Sequence, residues 1–335
     1  MMQVRQLDQT KWEKLAAKHP EANFLQSWQW GDVHAALGDV VIREGFYVDA
    51  TLVGGMEAIV KDARRGRYLE VPGGPLIDWT NQELIRQVAT HLHELARVHR
   101  CVFVRIRPQV SDSGAVRRDL AQAGFRIAPM HLHAEHTNIL SLEPSEDELL
   151  KHMRQQTRYE VRKAQKLAIE VTQTQGEAAI QEFIAVQKTT AERQGFVPSP
   201  PAFLTALGEH FAGLHLYKAT QNDQLLNLAI VLHYGEEADY FEAASTPESR
   251  RLPGAYAISW HAMCDAKRVG LKRYNFWGIA YSSDPHHRYA GVTTFKRGFG
   301  GEDVTYVPAH DLVIRPTAYL KNWLIETIRK KQRNL

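Results

Sequence analysis

The order of elements constrains this chain most, because one succession of them is written twice. Between residues 40 and 71, apolar and polar residues alternate in segments broken at Val48-Asp49-Ala50, Gly54-Gly55 and Arg64-Arg65-Gly66. Side chains alternate faces along a strand, so this pattern predicts an antiparallel meander. Pro72-Gly-Gly-Pro75 ends it as a tight loop. A long amphipathic helix over 81–99, a strand at Cys101–Arg107, a helix over 113–123 and a strand around Arg126–Leu142 follow. Ahead of the meander, a helix over 8–18 starts at Asp8, with Trp12, Leu15 and Ala16 at helical spacing. Asn23 to Gly38 reads as an extended piece entering a helix capped by Ser27 and closed by Gly38.

The succession then returns. A helix over 145–166 leads to a strand near 168–174, helices over 177–194 and 200–211, and strands at 213–220, 225–234 and 238–244. A helix over 254–269, the strand Arg273–Ile279, a short helix near 291–297 and a strand at 304–308 complete it. The halves are hardly alike in sequence, but each is a meander, a long helix and a strand. They predict a duplicated α/β (α+β) domain, with boundaries at 1–144 and 145–316. At 335 residues the chain can bury two cores. The last helix, 317–331, carries Leu320, Trp323, Leu324 and Ile328 on one face. That face needs a partner surface; either half could supply it, and 317–335 could pack back on the first domain.

Composition excludes some classes. Apolar content of 44% and charged content of 24% are those of a globular protein. Cys101 and Cys264 lie in apolar surroundings without CxxC spacing, which predicts buried free thiols in a reducing compartment. His131, His133 and His136 are closely spaced, but no HExxH pattern accompanies them, and a non-metal role is expected. The polar N-terminus and the lack of a long apolar run predict a cytoplasmic protein with no signal peptide. A net charge of +3 is too small to argue for nucleic acid, so the distribution of charge must do so.

Two stretches carry candidate chemistry. Tyr289-Ala-Gly-Val-Thr-Thr-Phe-Lys-Arg-Gly-Phe-Gly-Gly301 predicts a short helix stopping at Gly298. Lys296 would then sit beside glycine backbone that a substrate can approach, able to hold a phosphate or a developing oxyanion; an ordinary solvated lysine at a helix end is the plainer alternative. The helix 145–166 opens with a capping box, Ser145 and Glu148, and carries Arg154, Arg158, Arg162 and Lys166 at four-residue steps. Such a stripe of like charge repels itself unless phosphates or carboxylates face it, and a solvated or internally paired face is the plainer alternative. The terminal Arg329-Lys-Lys-Gln-Arg333 reads as a solubilising basic tail.

Seven stretches together resemble the Fem family of bacterial aminoacyltransferases. They are Phe24-Leu-Gln-Ser-Trp-Gln-Trp-Gly31, Thr137-Asn-Ile-Leu-Ser-Leu142, Arg158-Tyr-Glu-Val-Arg-Lys-Ala-Gln-Lys166, Glu192-Arg-Gln-Gly-Phe196, Tyr240-Phe-Glu-Ala-Ala-Ser245, Tyr274-Asn-Phe-Trp-Gly278 and Phe295-Lys-Arg-Gly-Phe-Gly-Gly301. The resemblance implies two tandem GNAT-like (acetyltransferase-like) domains, in a compact form without the helical arm of larger members. It implies transfer of an amino acid from aminoacyl-tRNA to a stem-peptide amine of a nucleotide- or lipid-linked peptidoglycan precursor. No cofactor, a monomer and peripheral membrane contact belong to the same expectation.

By resemblance, Lys296 with Phe295 lies at the donor end, contacting the tRNA terminus and stabilising charge. Ser27, Trp30, His34, Arg193, Ser245 and Tyr256 fall on the acceptor side, while Arg154, Arg158, Arg162 and Lys166 meet tRNA. His34 stands where the family usually has a phosphate-binding lysine, which puts acceptor identity in doubt. The ester donor is already activated and no Ser-His-Asp or Cys-His motif is visible, so direct attack by the amine is expected. No convincing general base is visible. Two other readings stay open: an acyl-CoA-dependent N-acyltransferase of the same fold, and a non-catalytic RNA-binding module. Against the first, no clean Arg/Gln-x-x-Gly-x-Gly/Ala pyrophosphate loop occurs.

Overall fold

The computed structural model describes residues 2–63, 66–281, 284 and 286–333, with side chains up to Lys330. The chain begins with β1 (Gln3–Gln6), α1 (Gln9–Ala16), α2 (Trp28–Ala36), β2 (Val40–Val48), β3 (Thr51–Ala63), β4 (Gly66–Gly73) and β5 (Leu76–Ile77). It continues through α3 (Gln82–Val98), β6 (Phe103–Pro108), α4 (Gly114–Gln122), β7 (Phe125–Ile127) and β8 (His136–Ser141). Next come α5 (Glu146–His152), α6 (Gln155–Lys166), β9 (Glu170–Thr174), α7 (Glu177–Gln194), α8 (Pro201–His210), β10 (Leu214–Gln221), β11 (Gln224–Tyr234) and β12 (Glu237–Ser245). The rest is α9 (Gly254–Arg268), β13 (Arg273–Gly278), α10 (Ala290–Arg297), β14 (Glu302–Thr305), β15 (His310–Val313) and α11 (Pro316–Arg333).

Two compact units result, one from Met1–Glu135 with Thr305–Leu335 and one from His136–Val304. The division falls at 135/136 and 304/305, not at the expected 144/145 and 316. The expected strand over 126–142 is two strands, β7 and β8, which belong to different sheets. In the first unit the sheet order is β1-β2-β3-β4-β6-β15-β7, with β5 on β3. In the second it is β9-β10-β11-β12-β13-β8-β14. The two orders match position for position: an antiparallel meander, one parallel step, then a strand supplied from outside the meander–helix succession. In the first unit that strand is β15, which pairs antiparallel with both β6 and β7. A sequence reading by local succession has no signal for so distant a partner.

Each core lies where the long helix covers its sheet. Leu84, Ile85, Val88, Ala89, Leu92 and Ala96 of α3 are buried with Met56, Ala58, Leu69, Val71, Val104 and Ile106. In the second unit Ile258, Ala262, Met263 and Ala266 of α9 are buried with Tyr217, Ala229, Val231, Tyr274 and Phe276. Each large apolar side chain so buried contributes about 1.5–3 kcal/mol relative to exposure.

The local signals were read with mixed success. Asp49 and Ala50 take positive φ of 45° and 65°, making a two-residue hairpin between β2 and β3 at the expected break. Gly54 and Gly55 do not break a strand: β3 runs through them. A Cβ on Gly55 would lie 2.7 Å from both the Glu44 carbonyl and the Leu15 side chain, so these glycines permit close packing. The turn expected at Arg64-Arg65 lies outside the described residues.

The expected helix 145–166 is two helices. Met153 and Arg154 are extended, with ψ of 146° and 142°. The Arg154 amide donates to the Gly298 carbonyl at 2.9 Å, anchoring the break on a distant segment.

Helix α11 overturns the ordinary amphipathic rule. Its polar side faces in: Glu326 and Asp311 accept from the buried Arg105 guanidinium at 2.8 and 2.7 Å, and the Tyr319 hydroxyl donates to Asp311 at 2.9 Å. Burial works against the Arg105 charge, but the two carboxylates more than offset it, so its pKa is raised. The apolar face, expected to find a partner, stays exposed at Leu320, Trp323, Leu324 and Ile328. Among the described residues no helix is long and apolar enough to cross a membrane.

Candidate active site

In the second unit the parallel pair β12–β13 is joined only from Glu237–Asp239 to Arg273–Asn275. Both strands run on, β12 to Ser245 and β13 to Gly278, without pairing to each other. Where they part, a cleft of about 780 Å³ opens, lined by the end of β12, Gly278, and faces of α7 and α10. A register shift between Ile230 and Val231 leaves Phe241 as the extra residue on β12. The bulge lets consecutive residues, Phe241 and Glu242, both line the cleft.

Lys296 also lines it, from the last turn of α10. It is only 9% exposed, and its Nζ donates to the Gly278 carbonyl at 2.7 Å. Burial away from water disfavours the ammonium and lowers its pKa to about 7. Lys296 is therefore a buried lysine at the cleft wall, not the solvated one of the plainer alternative. The carbonyl it holds is presented by an irregular strand end, where Trp277 takes a positive φ of 55° and its amide donates to Asn275 Oδ1 at 2.8 Å.

The glycines that follow do not line the cleft. α10 ends as expected before Gly298, but the left-handed turn comes later, at Gly300 and Gly301, with φ of 99° and 82°. A Cβ on Gly298 would strike Thr157 Oγ1, and one on Gly301 would meet the Ile139 carbonyl at 2.5 Å. These glycines permit close packing inside the unit, and Gly278 supplies the cleft's close backbone.

Phe295 lines the cleft with its ring edge-on to Tyr256 at 5.0 Å and to Phe299 at 5.3 Å. Tyr256 also stacks on Phe299 at 5.9 Å, so its ring forms part of an aromatic cluster behind the wall. Arg193 Nη2 donates to both the carbonyl and the hydroxyl oxygen of Ser245, at 2.7 Å each, and the Thr190 hydroxyl donates to the same carbonyl at 2.9 Å. Arg193 and Ser245 are thus brought together at the cleft edge, with the guanidinium already holding a strand end.

Sequence reasoning missed Glu242. Its carboxylate accepts from Ser199 and Gln187, yet desolvation outweighs those donors and raises its pKa. It is a carboxyl group in the same cleft as Lys296 with a raised pKa, and so a candidate base that the sequence did not reveal. It stands inside Tyr240–Ser245, a stretch that was noticed, but its inward aim depends on the bulge.

In the first unit Ser27 is a buried helix cap: its hydroxyl donates to the Phe24 carbonyl at 2.7 Å and accepts from the Trp30 amide at 3.0 Å. Trp30 is buried with ring contacts to Phe24, His34 and His133. His34 Nδ1 lies 2.9 Å from Asp39 and 3.3 Å from Lys61 Nζ. Lys61, delivered from β3, also pairs with the Asp39 carboxylate, so His34, Asp39 and Lys61 form one cluster. His133 bonds Glu70 at 2.9 Å, His131 lies 3.6 Å from Glu135, and neither is on a strand as expected.

With that geometry in view, comparison with known proteins is decisive. The FemAB family model matches residues 7–217 and 209–327. The chain belongs to the FemAB family. The aminoacyltransferase FemB of Staphylococcus epidermidis is 29% identical over 117 residues, 33% of this chain and 27% of that protein. Aminoacyltransferase FemA of Staphylococcus aureus is 32% identical over 71 residues, 21% and 17% of the respective chains. The matched stretches thus span about a quarter or less of these relatives' length.

For the fold, a crystal structure of FemX superposes with a TM-score of 0.85 at 16% identity, covering 97% of this chain and all of that one. A tandem GNAT protein from the clavulanic acid biosynthesis pathway gives 0.57 at 11% identity, covering 94% and 99%. The fold of this FemAB protein is the tandem GNAT-like one.

The basic stripe separates into different roles. Arg158 Nη1 donates to the carbonyls of Lys151, Met153 and Leu150 at 2.9, 3.3 and 3.4 Å, capping the end of α5. Arg154, Arg162 and Lys166 are exposed.

Proposed function

We propose that this FemAB protein transfers an aminoacyl group from the ester of aminoacyl-tRNA to an amine of a peptidoglycan precursor, at the cleft around Lys296. The observation that carries the reading is a buried lysine and a half-buried, desolvated carboxyl group lining one open cleft. Family membership and the aminoacyltransferase names of the FemA and FemB relatives support the reaction class.

The amine nitrogen adds to the ester carbon, the bond to the ribose oxygen breaks, the amine loses a proton and the ribose oxygen gains one. Glu242 carries that proton, since desolvation raises its pKa and makes its carboxylate a stronger base than an exposed one. Lys296 stabilises the tetrahedral oxyanion. Burial disfavours its charge; an anion beside Nζ restores it, so donor binding takes up a proton above about pH 7. The exposed cations Arg154, Arg162 and Lys166 meet the tRNA backbone, while Arg158 holds the helix that presents them. The acceptor's peptide reaches the edge of this cleft held by Arg193 and Ser245. An aminoacyl-tRNA donor places the reaction in the cytoplasm.

Mass spectrometry of stem peptides from cells with and without the gene tests the reading. Loss of one aminoacyl residue from the peptides is the expected result, and identical peptides would overturn it.

A further inference from the structure

We infer that the outward face of α11 is a docking surface for an anionic membrane. The helix is held by its polar side: Tyr319, Asn322 and Glu326 are buried, and Glu326 closes on Arg105. That leaves Leu320, Trp323, Leu324 and Ile328 outward, 65%, 38%, 54% and 48% exposed. At about 100° per residue, these four span roughly 140° of the helix surface. Lys321 and Lys330, both exposed, fall at the two margins of that stripe. A groove of about 550 Å³, lined by Arg126, Val313, Pro316, Tyr319, Leu320 and Trp323, adjoins it.

The charge around the stripe selects the partner. Arg126, Arg315, Lys321 and Lys330 are all exposed, whereas Glu326, the single acid from Arg315 to Lys330, is turned inward and paired. An apolar stripe bordered on both sides by cations is the pattern of a helix lying in a lipid headgroup layer. The cations favour anionic lipid, and the tryptophan suits the interface between headgroups and acyl chains. A second copy of the chain fits less well, because a twofold contact through this face would set like charges against each other. The surface belongs to the first unit and does not depend on the chemistry assigned to the cleft.

The test is co-sedimentation of the full chain with vesicles of phosphatidylcholine alone and with about one-third phosphatidylglycerol. Binding to the anionic vesicles, weakened by salt and slight on the neutral ones, is the expected result. Leu320→Ser with Leu324→Ser should weaken it at least about tenfold, and Lys321→Gln with Lys330→Gln about 25-fold at low salt, at about fivefold per cation. All four positions are exposed, so the melting temperature should stay at the parent's. Lys296→Met should bind vesicles as the parent does, which separates this result from any result on transfer. Equal binding to both vesicle types, no binding to either, or a concentration-dependent dimer abolished by Leu324→Asp would each overturn the inference.

Discussion

Lys296 and Glu242 make opposite demands on pH. The lysine's pKa, about 7 in the fold, lies below its unfolded value, so between those two values the unfolded chain binds more protons. Burial of the ammonium therefore costs stability fully below pH 7, and the cost is relieved as pH rises toward 10. Lys296→Met removes the charge but keeps an apolar stem, so it should raise the melting temperature, more at pH 6 than at pH 10. Transfer should fall by about 10²-fold or more, the scale for one preorganised oxyanion contact. Unfolding scans and initial rates on one preparation check both. Glu242, by contrast, acts as its anion if it is the proposed base, and burial raises its pKa. The parent rate should rise with pH through that raised value; Glu242→Gln should remove this acid limb and lower the plateau about 10²-fold. A pH–rate profile that keeps the limb in the variant would exclude Glu242 as the base. The lysine was legible in the sequence because an apolar run ending in glycines marks a helix end. Its burial was not, because the carbonyl that holds it, Gly278, comes from another element. Glu242 was illegible because a bulge, not strand alternation, aims it inward.

Helices were read well where their signals are local and poorly where a tertiary contact decides. The capping box at Ser145 is present as expected. The break at Met153–Arg154 carries no glycine or proline, and is imposed by the Gly298 carbonyl and the Arg158 guanidinium. Arg158→Ala should therefore cost about 1–2 kcal/mol of stability, the scale for a cation at a helix C-terminus. Arg162→Ala, at an exposed site, should move stability by less than about 0.5 kcal/mol. If the stripe meets tRNA, Arg162→Ala should still weaken tRNA binding and flatten its salt dependence. Denaturant titration and filter binding at several salt concentrations separate the two roles. For α11 the apolar stripe was visible in the sequence, but its direction was not. Periodicity gives a face, and the buried Arg105–Glu326–Asp311 network determines which face turns inward.

The duplication was legible because each half repeats the order of meander, helix and strand. What differs between the halves is how long the parallel pair stays joined. In the first unit β4 and β6 pair from Leu69–Gly73 to Val104–Pro108, and the Gln26 side chain donates to the carbonyls of Pro72 and Glu57. In the second unit the equivalent pair parts after Asp239 and Asn275, and the cleft opens there. No composition signal marks that divergence, since it depends on pairing. The first sheet also needs β15, so a chain cut after Pro308 should fail to protect the β6 and β7 amides from hydrogen exchange, while β10–β12 stay protected. The central claim is tested most directly by a single-turnover reaction of the purified chain with labelled aminoacyl-tRNA and a pentapeptide precursor, followed by mass spectrometry of the precursor. The account predicts a mass gain of one aminoacyl residue with the parent and a rate lower by about 10²-fold or more with Lys296→Met. No mass gain with any aminoacyl-tRNA, a gain only when acetyl-CoA is the donor, or an unchanged rate with Lys296→Met would contradict it.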